Sequence, residues 1–324
     1  MNFPIMTPKF FHDVVDLTKP ASEYADYVDI VVSPSAVEYV AHLSNPAVVR
    51  RLMAVEGPIE YHMVKIPEKE SESFLAQSQA FIDGNPNAVY YWQLRTLMMS
   101  ILQNKSVSFE KRMLLLNYGI KTIQSMIDNH QPNLIPKFIA EFTQLEDYEK
   151  ILEYFKGVTP NFGYSLADGI SLIKSVVKTS PEYKAVVKRI YKNLGVSGPE
   201  TLNMTDMKKY LEMRRDYSEK FMAEHSTWVE NIMVNYVWAY SIPYAESNRI
   251  NLWENYVFFC ALYNTIKILI TCYKPADEEE FIKLISSFDD ALRKTGKSIV
   301  WKIVAAMKNA GQANNGDMAV LAIS

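Results

Sequence analysis

The sequence predicts an all-α protein, a multi-helix globular bundle with a small β element within residues 28–66. Three observations predict it. Apolar residues recur at helical spacing in most segments, and those segments begin and end at capping residues, glycines and prolines. The stretch Trp253–Tyr273, WENYVFFCALYNTIKILITCY, is the longest strongly apolar run, and it reads as a central helix apolar nearly all round. Strand-like patterning shows only in short stretches ahead of residue 67.

The apolar run raises the question of a membrane span, which needs roughly 20 apolar residues. Lys267 sits well inside it, leaving Tyr256 to Ile266 as the uncharged run before it. A lysine at mid-span costs about 2.5–3.5 kcal/mol. The run is therefore expected to be a buried core helix and not a span.

Taken in order, residues 1–35 read as irregular, with prolines at 4, 8, 20 and 34. Tyr24 and Tyr27 with Val28, Ile30, Val31 and Val32 suggest a short strand or packed arm. Asn45-Pro46 reads as an N-cap followed by proline at the first helical position. Val48, Val49, Leu52 and Met53 give that helix its apolar stripe, and Gly57-Pro58 stops it. Residues 59–66 carry a weak strand signal. A short helix over 71–83 ends at a turn, Asp83-Gly84-Asn85-Pro86. Residues 89–103 and a helix beginning near Ser108 then form an antiparallel hairpin by loop length.

Short helices are expected at 134–143 and 145–156, then one ending near Thr179, then one from Pro181 to the stop at Gly195. Residues 205–224 read as a charged helix with a solvated face of mixed sign. A helix over 225–240, closed by Ile242-Pro243, precedes the apolar run. Asp277–Glu280 place acids in a first turn and Arg293-Lys294 place bases in a last turn before Gly296, matching the helix dipole at both ends. Two final helices, 297–310 and 314–322, are separated by Gly311. The organisation expected is an N-terminal part, 1–86, holding the arm, a helix and the β element, and a helical body, 87–324, around the central helices 225–240 and 250–273.

The 324 residues, 48 % hydrophobic and 22 % charged, suit one large globular domain or two intimate ones. A net charge of -3 argues against nucleic acid as the main partner. The N-terminus lacks a charged region followed by an apolar one, so no secretory signal is read, and a cytoplasmic protein is expected. The only cysteines are Cys260 and Cys272. On a straight helix they lie about 18 Å apart at 1.5 Å per residue, too far to bridge, and two cysteines alone cannot hold a zinc or iron–sulfur site.

No dinucleotide loop, P-loop, H-E-x-x-H or nucleophile elbow occurs. His42 and His62 could meet if the intervening helix folds back. Asp289-Asp290 read as a surface feature. Tyr236, Tyr240, Tyr244 and Tyr256 could line a pocket.

Several segments together resemble one family. HLSNPAVVRRLM (His42–Met53) is similar to a segment reading Leu-Ser-Cys-Pro-Glu-Ala-Ala-Arg, with Leu43, Ser44, Pro46 and Arg50 matching. GPIEY (57–61) resembles the stretch after it. Trp92–Leu116 resembles a hairpin with an arginine in each helix, here Arg95 and Arg112. Residues 229–245 resemble a Glu-Asn helix ending at proline, here Glu230, Asn231 and Pro243. The order and spacing of these segments, over about Val37 to Ser324, resemble the flagellin lysine-N-methylases. The resemblance implies a cytoplasmic protein that uses S-adenosylmethionine to methylate lysines of flagellin. It singles out Arg50, Arg95, Arg112, Glu230 and Asn231, with Tyr236 beside them, as candidate binding residues; the catalytic and cofactor-binding residues are left unassigned.

One departure stands out. The family carries a cysteine cluster near its N-terminus, and one more in the Leu-Ser-Cys-Pro motif, fit for an iron–sulfur cluster. Here residues 1–35 hold no cysteine and Asn45 stands in that motif. No iron–sulfur cluster is expected. Two functions follow: a lysine methyltransferase that dispenses with the cluster, or a non-catalytic helical module that binds or regulates a protein partner.

Overall fold

The structure is a computed structural model, and it describes residues 4–11, 26–34, 36–65, 68–85, 87–145, 148–176, 180–197, 204–242, 244, 251–296, 298–312 and 314–324. It is mainly helical with a small four-stranded sheet. The strands are β1 (Pro4–Pro8), β2 (Val28–Ser33), β3 (Ala36–Ala41) and β4 (Tyr61–Lys65). The helices begin with α1 (Pro46–Met53), α2 (Glu68–Gly84), α3 (Tyr91–Leu102), α4 (Phe109–Asp128), α5 (Ile135–Thr143) and α6 (Glu149–Glu153). They continue with α7 (Phe162–Val176), α8 (Pro181–Leu194), α9 (Met204–Met213), α10 (Glu219–Ala239), α11 (Leu252–Tyr273), α12 (Glu278–Thr295), α13 (Ser298–Asn309) and α14 (Asn315–Ile323).

The chain forms two compact units, each built from separated stretches. One comprises Met1–His42, Arg51–Lys156 and Glu230–Tyr256; the other comprises Leu43–Arg50, Gly157–Val229 and Val257–Ser324.

In the first unit the strands run in the order β2-β3-β1-β4. β2 and β3 pair antiparallel from Val28 opposite Ala41 to Ser33 opposite Ala36. β1 lies parallel to β3, with Ile5 opposite Val37, and antiparallel to β4, with Thr7 opposite His62. The β element expected within residues 28–66 is there, with β3 as a further strand in it, but β1 comes from the stretch read as irregular. Its prolines sit at the first and last positions, where a strand tolerates them. β3 gave no alternation because every one of its side chains is buried, as in a strand covered on both faces.

The α3–α4 hairpin forms as expected, and Ser108 caps α4 by accepting from the Lys111 amide at 3.4 Å. The first turn of α11 meets α4: Tyr256 donates to the Met113 carbonyl at 2.6 Å, and the Lys121 ammonium lies 4.6 Å from the Trp253 ring.

In the second unit, α11 from Val257 onward is buried at every position but Lys267. That lysine donates to the carbonyls of Leu321 and Ala322 at 3.1 and 3.3 Å, at the C-terminal end of α14. A cation there meets carbonyls that the helix itself leaves unpaired. Among the described residues α11 is the only helix long and apolar enough to cross a membrane, and 94 % of its apolar window is buried in the protein. It is a core helix.

Gly169 of α7 lets that helix approach α11 closely: a Cβ built there would stand 2.7 Å from Ile268 Cγ1. Beside it Ser165 donates to Asn264 Oδ1 at 2.5 Å, and Asn264 donates to the Ser165 carbonyl at 2.9 Å and to Asp168 at 3.2 Å. Gly195 ends α8 with a φ of 84°, and Asp277 caps α12 by accepting from the Glu280 amide at 2.9 Å. Asp289, expected at the surface, is 5 % exposed; it packs inward while Asp290 pairs with Lys294 at 2.7 Å.

Separate helices were expected at 205–224 and 225–240, and the helical chain does break between them: His225, at φ -128° and ψ 20°, is non-helical and kinks α10. The new feature is the π-helical turn Arg214–Ser218, through which α9 runs into the first part of α10. No glycine or proline lies within residues 204–239. Pro243, read as the closing residue of this helix, lies outside the described residues. The chain turns at Ser241, φ 50°, where the Ile242 amide bonds to the Val237 carbonyl at 2.9 Å.

Candidate functional site

Five of the six candidate residues read from the sequence lie in the first unit, on α3, α4 and α10. Arg95 is 1 % exposed and Glu38, from β3, is 0 % exposed. Their side chains pair at 3.3 Å. Arg95 also donates to the Val237 carbonyl at 2.7 Å and to the Tyr91 hydroxyl, and Tyr91 donates to Glu38 at 2.7 Å. The guanidinium lies 4.5 Å from the Trp238 ring, which stacks on Tyr61 at 4.0 Å. Burial works against the charge on Arg95, but Glu38 and Tyr91 outweigh it and hold the guanidinium above its ordinary pKa.

Arg112 forms a second buried pair. It donates to Glu230 at 3.0 and 3.4 Å, to the Leu102 carbonyl at 2.7 Å and to the Val107 carbonyl at 2.7 Å. Asn231 donates to the carbonyls of Leu52 and Val55 at 3.0 and 2.9 Å. Tyr236 is fully buried, 5.9 Å from the Tyr240 ring. Tyr244 and Tyr256, expected to line a pocket with it, are packed, their hydroxyls bonded to the carbonyls of Asn87 and Met113 at 2.6 Å each. The arrangement fastens helices to one another and to β3. Arg50 belongs to the second unit, where it pairs with Glu278 at 2.8 Å and Glu279 at 2.5 Å on the surface.

A groove of about 590 Å³ opens in the second unit, at the junction of the π turn with α10. One wall carries Tyr217, Phe221, His225 and Trp228; Pro275, Ala276, Asp277 and Glu278 form the other. Spaced four, four and three residues apart, the four rings line the groove together across the kink at His225. Tyr217 and Phe221 stack at 5.8 Å, Phe221 and His225 lie 4.9 Å apart, and His225 stacks on Trp228 at 4.0 Å. Phe281 of α12 backs Trp228 at 5.3 Å.

The second wall is held in place by an ionic anchor. Arg189 of α8 grips Glu280 at 2.7 and 3.1 Å and bonds the Lys274 carbonyl at 2.8 Å, its guanidinium 4.1 Å from the Tyr273 ring. The Arg189 bonds, aided by the Ala276 amide, hold the Glu280 carboxyl below its ordinary pKa. Lys274 takes a left-handed conformation, φ 55°, which turns the chain out of α11, and Tyr217 reaches across the groove to the Pro275 carbonyl at 2.5 Å. Burial raises the Tyr217 hydroxyl, so it stays a neutral donor.

The groove is also lined by Asp216, Glu224, Asp277, Glu278 and Lys220; Asp216 pairs with Arg215 and Glu278 with Arg50, each at 2.8 Å. Glu224 lies 3.8 Å from His225 Nε2 with 74 % of its side chain exposed. Ring faces carry negative charge density and attract cations, and a rim of carboxylates adds to that field. The helix over 205–224 was read as a solvated face, so its Tyr217 and Phe221 were not joined to His225 and Trp228 across the kink. The aromatic spacing across it was the signal that would have joined them.

Neither cysteine takes part. Cys260 and Cys272 are buried on α11 and form no disulfide, and burial raises the Cys272 thiol, so it stays protonated. Among the described residues no group of three or more His, Cys, Asp or Glu side chains stands together as a metal site. With both cysteines buried on one helix, the described residues offer no set of thiolates for an iron–sulfur cluster.

Fold and groove define a mainly helical protein with a ring-lined cleft edged by carboxylates. A family model described as the FliB lysine N-methylase C-terminal domain matches residues 95–321, more than half of the chain. The chain belongs to the FliB lysine N-methylase family. The match takes in the groove and every candidate residue except Arg50. No curated protein and no solved structure matched the chain.

Proposed function

We propose that the protein transfers methyl groups from S-adenosylmethionine to lysine side chains of a flagellin in the cytoplasm. The family match over residues 95–321 carries this reading. The methyl donor supplies an electrophilic carbon on a sulfonium. The lysine nitrogen, once it has lost its proton, forms a bond to that carbon as the carbon–sulfur bond breaks, leaving a neutral thioether. The protein's share is to hold the amine in line and keep water away. The groove of Tyr217, Phe221, His225 and Trp228 supports the reading, because ring faces suit both an ammonium and a sulfonium.

A specific observation favours a second reading, a binding or regulatory module without catalysis. Asn45 stands where the family segment has cysteine, and its side chain accepts from the Ala47 amide at 2.9 Å. It caps α1 and needs no metal to do so.

One experiment separates the two. The protein is incubated with S-adenosylmethionine and the flagellin of its own source, and lysines are examined by mass spectrometry. Added methyl groups are expected. Folded protein that binds flagellin yet leaves its lysines unchanged would favour the module.

A further inference from the structure

We propose that the groove between α10 and the Lys274–Glu278 segment seats a lysine side chain of a protein substrate, in any of its methylation states. This rests on reading the chain as a lysine methylase, and it assigns that activity a place in the fold.

Chemistry comes first. The stacked His225 and Trp228 rings line the groove with Phe221 packed against them, and Glu224 and Asp277 set a negative rim. An ammonium is attracted to ring faces, and so is a methylated ammonium, because quadrupole attraction needs no N–H. A site made only of carboxylates would favour the unmethylated form, which donates more hydrogen bonds. The ring-lined groove keeps its hold as methyl groups are added.

The second ground is construction. A π turn, a bend at His225 and a left-handed Lys274 all lie at the groove, and π turns inside helices recur at functional sites. The Arg189–Glu280 anchor fixes the opposite wall. Third, shape and charge favour a peptide over the methyl donor. The groove is open along one side with its carboxylates at the solvent edge, whereas a nucleoside calls for an enclosed slot. Basic residues flanking the lysine complement that edge.

The test uses the full chain and a synthetic peptide with one central lysine flanked by arginines, prepared unmodified, trimethylated and acetylated. Binding is followed by calorimetry. The unmodified and trimethylated peptides should bind comparably, and the acetylated one about tenfold more weakly. Trp228→Leu should weaken the first two by about tenfold and leave the third unchanged. Glu224→Gln, at an exposed position, keeps the test independent of folding and should weaken the cationic peptides, more at low salt than at high. Equal binding of the acetylated peptide, or indifference to both substitutions, overturns the groove. So does loss of the peptide on adding S-adenosylmethionine, which would give the groove to the donor. A protein that methylates lysine with its KM untouched by these variants keeps its activity and loses this site. Cation-selective binding at the groove without methylation keeps the site and loses the activity.

Discussion

Glu38 and Arg95 meet at 3.3 Å, on β3 and α3, with their side chains 0 % and 1 % exposed to solvent. The pair links the sheet to the helical hairpin, and Tyr91 and the Val237 carbonyl complete its hydrogen bonds. Glu38→Gln or Arg95→Leu leaves one buried charge unanswered and should cost about 3–5 kcal/mol. Removing both should cost less than the sum of the two. Chemical denaturation of the four proteins in a double-mutant cycle measures this; additive losses would show that the pair is not coupled.

Arg112 holds two carbonyls and one carboxylate with a planar fork. Lysine is a point charge and cannot serve all three. Arg112→Lys should cost about 1–3 kcal/mol for each buried acceptor left unpaired. A melting temperature equal to that of the parent would contradict the geometry.

Gly169 stands where a Cβ would meet Ile268 Cγ1 at 2.7 Å. Gly169→Ala should cost about 1–3 kcal/mol by overpacking. Adding Ile268→Ala removes the obstructing atom, so the double variant should be less unstable than the two losses added together. Urea midpoints of the three variants check it.

Asp168 gives the second unit a dependence on pH. Burial raises its carboxyl from 3.8 to about 6, against the opposing bond from Asn264. Between those values the folded protein holds a proton that the unfolded chain releases. Stability from this group is therefore greatest at the acid end and falls as pH rises through about 6, then levels off. Asp168→Asn should remove that slope, seen as a difference in unfolding free energy between parent and variant that changes across the window and is flat above it. A difference constant with pH would refute the shift.

Much of the fold was legible because helical spacing and capping act locally. Asn45, Ser180 and Asp277 accept backbone amides at helix starts, and Gly195, Gly296 and Gly311 take positive φ at helix ends. β1 and β3 were not legible, since strand pairing joins residues far apart in sequence, and β3 lost its alternation to burial on both faces. The candidate arginines were rightly singled out by resemblance, but the sequence could not say what they touch. Their partners, Glu38 and Glu230, lie 57 and 118 residues away.

The sequence by itself determined that this is a helical protein with a buried apolar helix at 252–273, and its segments already resembled the family to which it belongs. These follow from residue types and short spacings. Only the tertiary structure decided that Lys267 inside that helix satisfies the end of α14, that Arg95 and Arg112 are committed to buried pairs, and that four rings on both sides of a helix kink line one groove. The reason is physical: a charge in an apolar run or a ring on a polar helix takes its role from the group that folding brings against it.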